Sequence, residues 1–329
     1  MAKIVLGIGT SHTPMLNLTA EQWSHRASID FNNTKLALPD GRKLSYPQLL
    51  ELHGPRFQDD IALPVLQRKE RACQAALDRL GDAIEQARPD LVVVIGDDQA
   101  ELFDADNQPA FAIYHGEEIV TTRGRYTEGA PDWMLQVGRG YLMEDVHRLP
   151  AAPVIALQVI EALMDRDVDV SAVAGVPDPQ RAGFGHAYGF IAKRLFRRAL
   201  PMLPVLLNTY FAPNVVSAAR AYDIGRKLRE VIAAIPQDLR VAVVASGGLS
   251  HFVIDAEFDR QVLDALRTKD VATLRAIPRE RLKSGTSETL NWVMTAGAVD
   301  HLAFQWSEYQ PLYRTAAGTG TGAAFCAWS

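Results

Sequence analysis

Residues 88–99 read Arg88-Pro89-Asp90-Leu91-Val92-Val93-Val94-Ile95-Gly96-Asp97-Asp98-Gln99. A continuous apolar run of this length suits a strand covered on both faces, as in a parallel sheet. Pro89-Asp90 stops the segment before it, and Gly96 opens a polar turn after it. Upstream, Leu66, Cys73, Leu77, Leu80 and Ile84 recur at helical spacing and predict an amphipathic helix over 65–87. The same alternation continues outward. Strands are expected at 3–8, 168–174, 203–207 and 240–245, and helices at 153–165, 187–199, 215–234, 256–267, 270–276 and 286–297. The pattern predicts an α/β fold with a central mixed sheet flanked by helices, in a single domain over 1–329. Two stretches interrupt it. Residues 17–63, with Asn32-Asn33, Pro39-Asp40-Gly41 and Pro47, read as an irregular excursion long enough to be a lid or wrapping loop. Residues 123–132 read as a surface loop.

Composition narrows the function classes. Hydrophobic residues are 48% and charged residues 22% of the 329, which excludes disorder as the main class. Thirty-nine acidic residues against 34 Lys and Arg argue against a nucleic-acid partner. No apolar run approaches the ~18 residues that span a bilayer, and the N-terminus lacks a signal-peptide core, so a cytoplasmic protein is expected. The 2 cysteines, Cys73 and Cys326, cannot build a disulfide framework and read as buried thiols. Any metal site must therefore draw on the 8 histidines and on oxygen ligands.

Ligands of open α/β sheets bind beyond the carboxyl ends of the strands. Polar groups cluster at several such points: Gly9-Thr10-Ser11-His12-Thr13-Pro14, Gly96-Asp97-Asp98-Gln99 and Ser246-Gly247-Gly248-Leu249-Ser250-His251. His186 lies between close glycines at a helix start, and Glu288 in the first turn of another helix. Each alone also fits an ordinary role, such as a helix cap for Glu288 or a turn contact for His12. Together they could converge on one cleft. Two neutral ligands and a carboxylate on one face are what non-haem Fe(II) oxygenases use, with further histidines free for acid–base work. His25, His115, His147 and His301 lie in contexts that favour solvated or structural roles. Gly318-Thr319-Gly320-Thr321-Gly322 lacks a following Lys and reads as close backbone packing rather than a phosphate loop.

Five segments, in order and spanning almost the whole chain, resemble the class III extradiol ring-cleavage dioxygenases, the superfamily of the protocatechuate 4,5-dioxygenase catalytic subunit. They begin at Gly9, Gly96, Gly185, Ser246 and Ser284 and end at Pro14, Phe103, Phe190, Phe252 and Trp292. The nearest branch is that of gallate and 3-O-methylgallate dioxygenases. The resemblance implies an Fe(II) cofactor, a small aromatic diol and O2 as substrates, iron ligation by His12 and Glu288, acid–base catalysis by His251, and a positioning or proton-relay role for His186. The family's second iron-ligating His stands four residues before a Phe. Here Gln99 stands four residues before Phe103. Either Gln99 is a weaker oxygen ligand, or His53 in the early excursion completes the site, or iron is held weakly or not at all. Tyr188, Phe190, Tyr210 and Phe252 are expected as an aromatic wall, with Asn208, Thr209 and Asn214 as polar contacts. Alternatives are cleavage of an aminophenol at an altered iron site, a catalytically impaired subunit, and a serine hydrolase using Ser250. A symmetric dimer is the base-rate oligomer.

Overall fold

In a computed structural model, which describes residues 1–123, 126 and 129–329, the chain forms an α/β fold around one large mixed sheet. Its strands in chain order are β1 (Lys3–Thr10), β2 (Leu36–Ala37), β3 (Lys43–Leu44), β4 (Leu91–Gly96), β5 (Phe111–Tyr114), β6 (Glu118–Val120), β7 (Arg148–Pro150), β8 (Ser171–Val173), β9 (Met202–Leu207), β10 (Arg240–Ser246), β11 (His251–Val253), β12 (Phe304–Tyr313) and β13 (Thr319–Trp328). The helices are α1 (Trp23–Phe31), α2 (Tyr46–His53), α3 (Leu63–Ala87), α4 (Asp132–Gly140), α5 (Pro153–Met164), α6 (His186–Arg194), α7 (Ala218–Ala234), α8 (Ala256–Thr268), α9 (Val271–Arg275) and α10 (Thr289–Ala298).

The sheet runs β11-β13-β1-β10-β4-β9-β5-β8, with β12 paired to the other edge of β13. β1, β10, β4 and β9 are mutually parallel, whereas β13 runs antiparallel to β1. The apolar run that opened the reading is β4, and its two faces feed two cores. Leu91, Val93 and Ile95 pack with α5, α7 and α10 residues, and Val92 and Val94 with α3 and α6 residues. A strand with no solvent face has no polar alternation to show. Register then does the functional work. Thr10 pairs with Ser246, Ile95 with Ala245, and Gly96 with Leu206, so the parallel strands end at one level. The residues just beyond those ends must share one edge of the sheet.

Several expectations change. Residues 17–63 are not irregular: they contain α1, α2 and the β2–β3 hairpin. Leu36, Leu38 and Leu49 pack with Val253 and Ala317 in a small core of their own. Burying a leucine is worth about 1.5–3 kcal/mol, so this segment is built into the fold rather than draped over it. The strand expected at 168–174 shortens to β8. The glycine-rich tail opens the fully buried β13, where a Cβ on Gly320 would stand 2.1 Å from the Leu312 carbonyl oxygen. The loop expected at 123–132 includes residues 124, 125, 127 and 128, which lie outside the described residues, and its last residue begins α4. Among the described residues, no helix is long and apolar enough to cross a membrane. Cys73 and Cys326 are buried free thiols.

Candidate active site

Beyond the ends of β1, β4 and β10, a cavity of about 250 Å³ is lined by His12, Gln99, His186, His251 and Glu288. His12 follows β1 directly. Its backbone is fixed by Tyr141, whose hydroxyl donates to the His12 carbonyl at 2.6 Å. Its ring is fixed by Ser246, which gives its one hydroxyl proton to the Ala187 carbonyl at 2.6 Å and so accepts from His12 Nδ1 at 3.0 Å. With Nδ1 committed to Ser246, Nε2 is the ring atom left to face the cavity. It stands 3.3 Å from Glu288 Oε2.

His251 repeats the arrangement. Its Nδ1 donates to the Leu249 carbonyl at 2.8 Å, which leaves Nε2 facing the same Glu288 oxygen at 3.6 Å. Burial lowers the pKa of His251, so the ring is neutral near pH 7. The turn before α10 packs against this ring so closely that a Cβ on Gly285 would stand 2.4 Å from His251 Cβ. Glu288 lies at the end of that turn and also accepts from the Gly248 N–H at 2.7 Å and the Tyr210 hydroxyl at 3.1 Å. Burial would raise its pKa, but positive charge on the imidazoles around it, His251, His12 and His186, outweighs burial and holds it well below the usual carboxylate range whenever they carry a proton.

His186 starts α6, and Nδ1 is gripped by both oxygens of Glu101 at 2.8 and 2.9 Å. Burial opposes its charge, yet Glu101 outweighs burial and lifts its pKa to about 9. Glycine is required before it, since a Cβ on Gly185 would stand 1.9 Å from the Glu101 carboxyl carbon. His186 Nε2 is buried with no hydrogen-bond partner among the described residues. It lies 3.9 Å from Asp97 Oδ2, and its ring meets that of His12 edge-on at 4.5 Å. Burial and the nearby Glu288 push the Asp97 carboxyl up to about 6, and burial with Glu101 pushes Asp98 up to about 7. Gln99 Nε2 donates to Asp97 and to Glu288, each at 3.3 Å.

The donor set fits a metal ion. An imidazole nitrogen that faces a carboxylate needs a proton or a cation between the two. One ligand atom each from His12, Asp97 and His186 lies within 4.8 Å of the others, and the orphaned His186 Nε2 points into the same space. His12 is oriented through Nδ1, as metal-ligating imidazoles are, whereas His186 is held charged by Glu101 and keeps a proton on Nε2. Nitrogen and hard oxygen donors without thiolate suit a first-row divalent ion.

Residues 53–325 match the family model described as "Catalytic LigB subunit of aromatic ring-opening dioxygenase". The chain belongs to this family. It is similar to a 2,3-dihydroxyphenylpropionate/2,3-dihydroxicinnamic acid 1,2-dioxygenase of Comamonas testosteroni, 23% identical over 211 residues, 63% of this chain and 54% of that protein. The enzyme of the same description from Mycobacterium sp. is 28% identical over 211 residues, 63% of this chain and 55% of that protein. A gallate dioxygenase of Pseudomonas putida is 42% identical over 59 residues, 16% of this chain and 17% of that protein. The matches to the dihydroxyphenylpropionate enzymes span about half of their length.

In this LigB-family chain, His12, Gln99, His186, His251 and Glu288 come together as a group, although more than 180 residues separate Gln99 from Glu288. His53 does not join them. It ends α2, its Nδ1 donates to the Ala317 carbonyl at 2.9 Å, and it is not among the cavity-lining residues. Tyr210 and Phe252 line the cavity, but Tyr188 and Phe190 belong to the core, with Tyr188 donating to the Val205 carbonyl. Asn208 and Asn214 bond to each other at 2.9 Å and fasten their loop, and Thr209 is likewise absent from the lining. Ser250 donates to Asp259 at 2.6 Å and is buried away from the cavity, which removes the geometric basis for a serine nucleophile. Four further residues support the group without a site role assigned to them from the sequence. Asp97 and Glu101 lie in the same segment as Gln99, two residues to either side of it. Tyr141 and Arg26 lie outside the five segments.

Proposed function

We propose that this chain is a non-haem Fe(II)-dependent extradiol dioxygenase that opens a catechol- or gallate-type ring with O2. The observation that carries the reading is the convergence of the His12 and His251 Nε2 atoms on the Glu288 carboxylate, at the floor of a cavity walled by Trp133, Met134, Val137 and Phe252. Family membership supports it. His12 and Glu288 would hold the metal, with Gln99 in the third position. Gln99 would turn its amide so that the carbonyl oxygen, its acceptor group, faces inward. Bound there, Fe(II) supplies the Lewis acidity and redox capacity for reaction of O2 with an electron-rich ring.

The protein's own groups do the rest. His251 is neutral, pinned at Nδ1 and exposed at Nε2 to the cavity, so Nε2 is the atom that takes a ring-hydroxyl proton and returns one later. His186, held charged by Glu101, directs its Nε2–H into the cavity as a donor to substrate oxygen. The aromatic and aliphatic walls hold a flat ring and exclude water. About 150 Å³ suffices for benzene, so a cavity of about 250 Å³ suits one substituted ring.

Oxygen uptake after anaerobic Fe(II) loading, across catechol, gallate and 2-aminophenol, tests the reading. Uptake with ring-opened product supports it, and preference for the aminophenol would move the substrate class. Absence of uptake by iron-loaded protein with every substrate overturns it.

A further inference from the structure

We propose that a groove beside the cavity binds the phosphate group of a small organic phosphate ester. The groove lies between the β2–β3 hairpin, the loop after β9 and the segment that leads into the Glu288 turn, and it holds about 550 Å³. Among the described residues, Tyr210 alone lines both spaces, so the groove is a neighbour of the cavity rather than part of it. It stands apart from the ring-opening chemistry, and its test needs no metal.

The charge of the groove is one-sided. Lys35, Lys43, Arg279 and Lys283 line it, and no carboxylate among the described residues does. The chain as a whole carries 39 acidic residues against 34 Lys and Arg, so four cations without an acid run against its composition. None of the three lysines has an ion pair among the described residues. Arg279 donates Nη1 to the Val215 carbonyl at 2.6 Å and keeps its other donors. Neighbouring carboxylates are engaged elsewhere. Asp40 pairs with Arg42, and Glu280 lines a separate, smaller cavity that Lys283 also borders. Asp255, on that smaller cavity too, pairs with Arg281. Like charges gathered in one place repel, and an arriving anion relieves the repulsion. A second observation points the same way. Thr209 lines the groove at 2% exposure, and its buried hydroxyl has no hydrogen-bond partner among the described residues. A buried hydroxyl without a partner is costly, and a ligand oxygen would offset that cost.

The donor set says which anion. Three of the four cations are ammonium groups, carried on separate stretches of chain. Ammonium groups act as point charges from several directions, which suits the tetrahedral oxygens of a phosphate and its charge of nearly −2 at pH 7. A planar carboxylate is matched better by a guanidinium fork, and the one guanidinium here has Nη1 committed to Val215. The remaining wall is apolar, from Leu38, Pro213, Val215, Val216 and Leu282. It offers the esterified part of the ligand a surface that inorganic phosphate cannot use. The volume lies within the range of small-molecule pockets.

The test is titration calorimetry on the full-length, metal-free chain at low ionic strength, with butyl phosphate, inorganic phosphate and pentanoate as probes. Butyl phosphate should bind about tenfold more tightly than pentanoate, through its extra charge, and about threefold more tightly than inorganic phosphate, through its alkyl chain. Lys43→Met with Lys283→Met should weaken butyl phosphate about tenfold, and Lys35→Met, on a separate stretch, about threefold. All three side chains are exposed, and unfolding temperatures within error of the wild type would establish that the variants fold. Raising the salt should weaken the wild type and leave the double variant nearly unchanged. Absence of butyl phosphate binding, pentanoate or inorganic phosphate binding as tightly, or affinity that survives the loss of Lys43 and Lys283 would overturn the proposal.

Discussion

The Asp30–Arg314 pair ties the early helical segment to the sheet, and its removal has a calculable cost. Both side chains are almost fully buried, at 4% and 2% exposure. Asp30→Ala leaves a buried guanidinium without its counter-charge, a change that costs about 3–5 kcal/mol. Arg26, one turn away, is a second cation whose charge Asp30 also favours, which places the expectation towards the upper end. A protein of 329 residues unfolds with an entropy of roughly 0.7 kcal/mol/K at about 2.1 cal/mol/K per residue. The melting temperature should therefore fall by about 4–7 °C, read by calorimetry at neutral pH. Replacing both partners by apolar residues, Asp30→Leu with Arg314→Met, should return most of the loss, because it removes the stranded charge as well as the bond. A fall of less than about 1.5 °C for Asp30→Ala, or a double variant no better than the single one, would refute the assignment of this pair as the anchor.

Three further outcomes follow from the site and its supports. Burial pushes the Asp259 carboxyl from 3.8 up to about 6, so the folded state holds that proton more tightly than the unfolded one. Its contribution to stability is present at low pH and is lost as pH rises from about 4 through 6; relative to Asp259→Asn, the wild type should lose about 2 kcal/mol between pH 4 and 7, measured by denaturant titration. Gly285→Ala would drive a Cβ into His251, 2.4 Å away, and should lower kcat about 100-fold with metal content by elemental analysis unchanged. Glu101→Ala should cost about 10–100-fold in turnover by freeing the His186 ring, and an unchanged rate would remove Glu101 as its positioning residue.

The central sheet could be read because its strands are short apolar runs bounded by proline and glycine, and each such run in β1, β4, β9 and β10 became a strand. His12, Gln99 and His251 were readable as a group because they follow strand ends, and parallel register brings strand ends together. What escaped depended on distant partners. β12 carries Pro311 and many half-exposed residues, and it is a strand because β13 pairs with it along its length. α1 and α2 lie in a polar stretch with weak periodicity and gain their support from Arg314, Val253 and Ala317. His53 had suitable chemistry in sequence, but its backbone partner Ala317 is 264 residues away and holds it elsewhere.

The most direct measurement of the central claim is isotopic. Iron-loaded protein given a carboxylated catechol under 18O2 should release a ring-opened product carrying two heavy oxygen atoms, with that incorporation lost in His12→Ala and Glu288→Ala. A product with one heavy atom, an intact ring, or full incorporation without His12 and Glu288 would contradict the account.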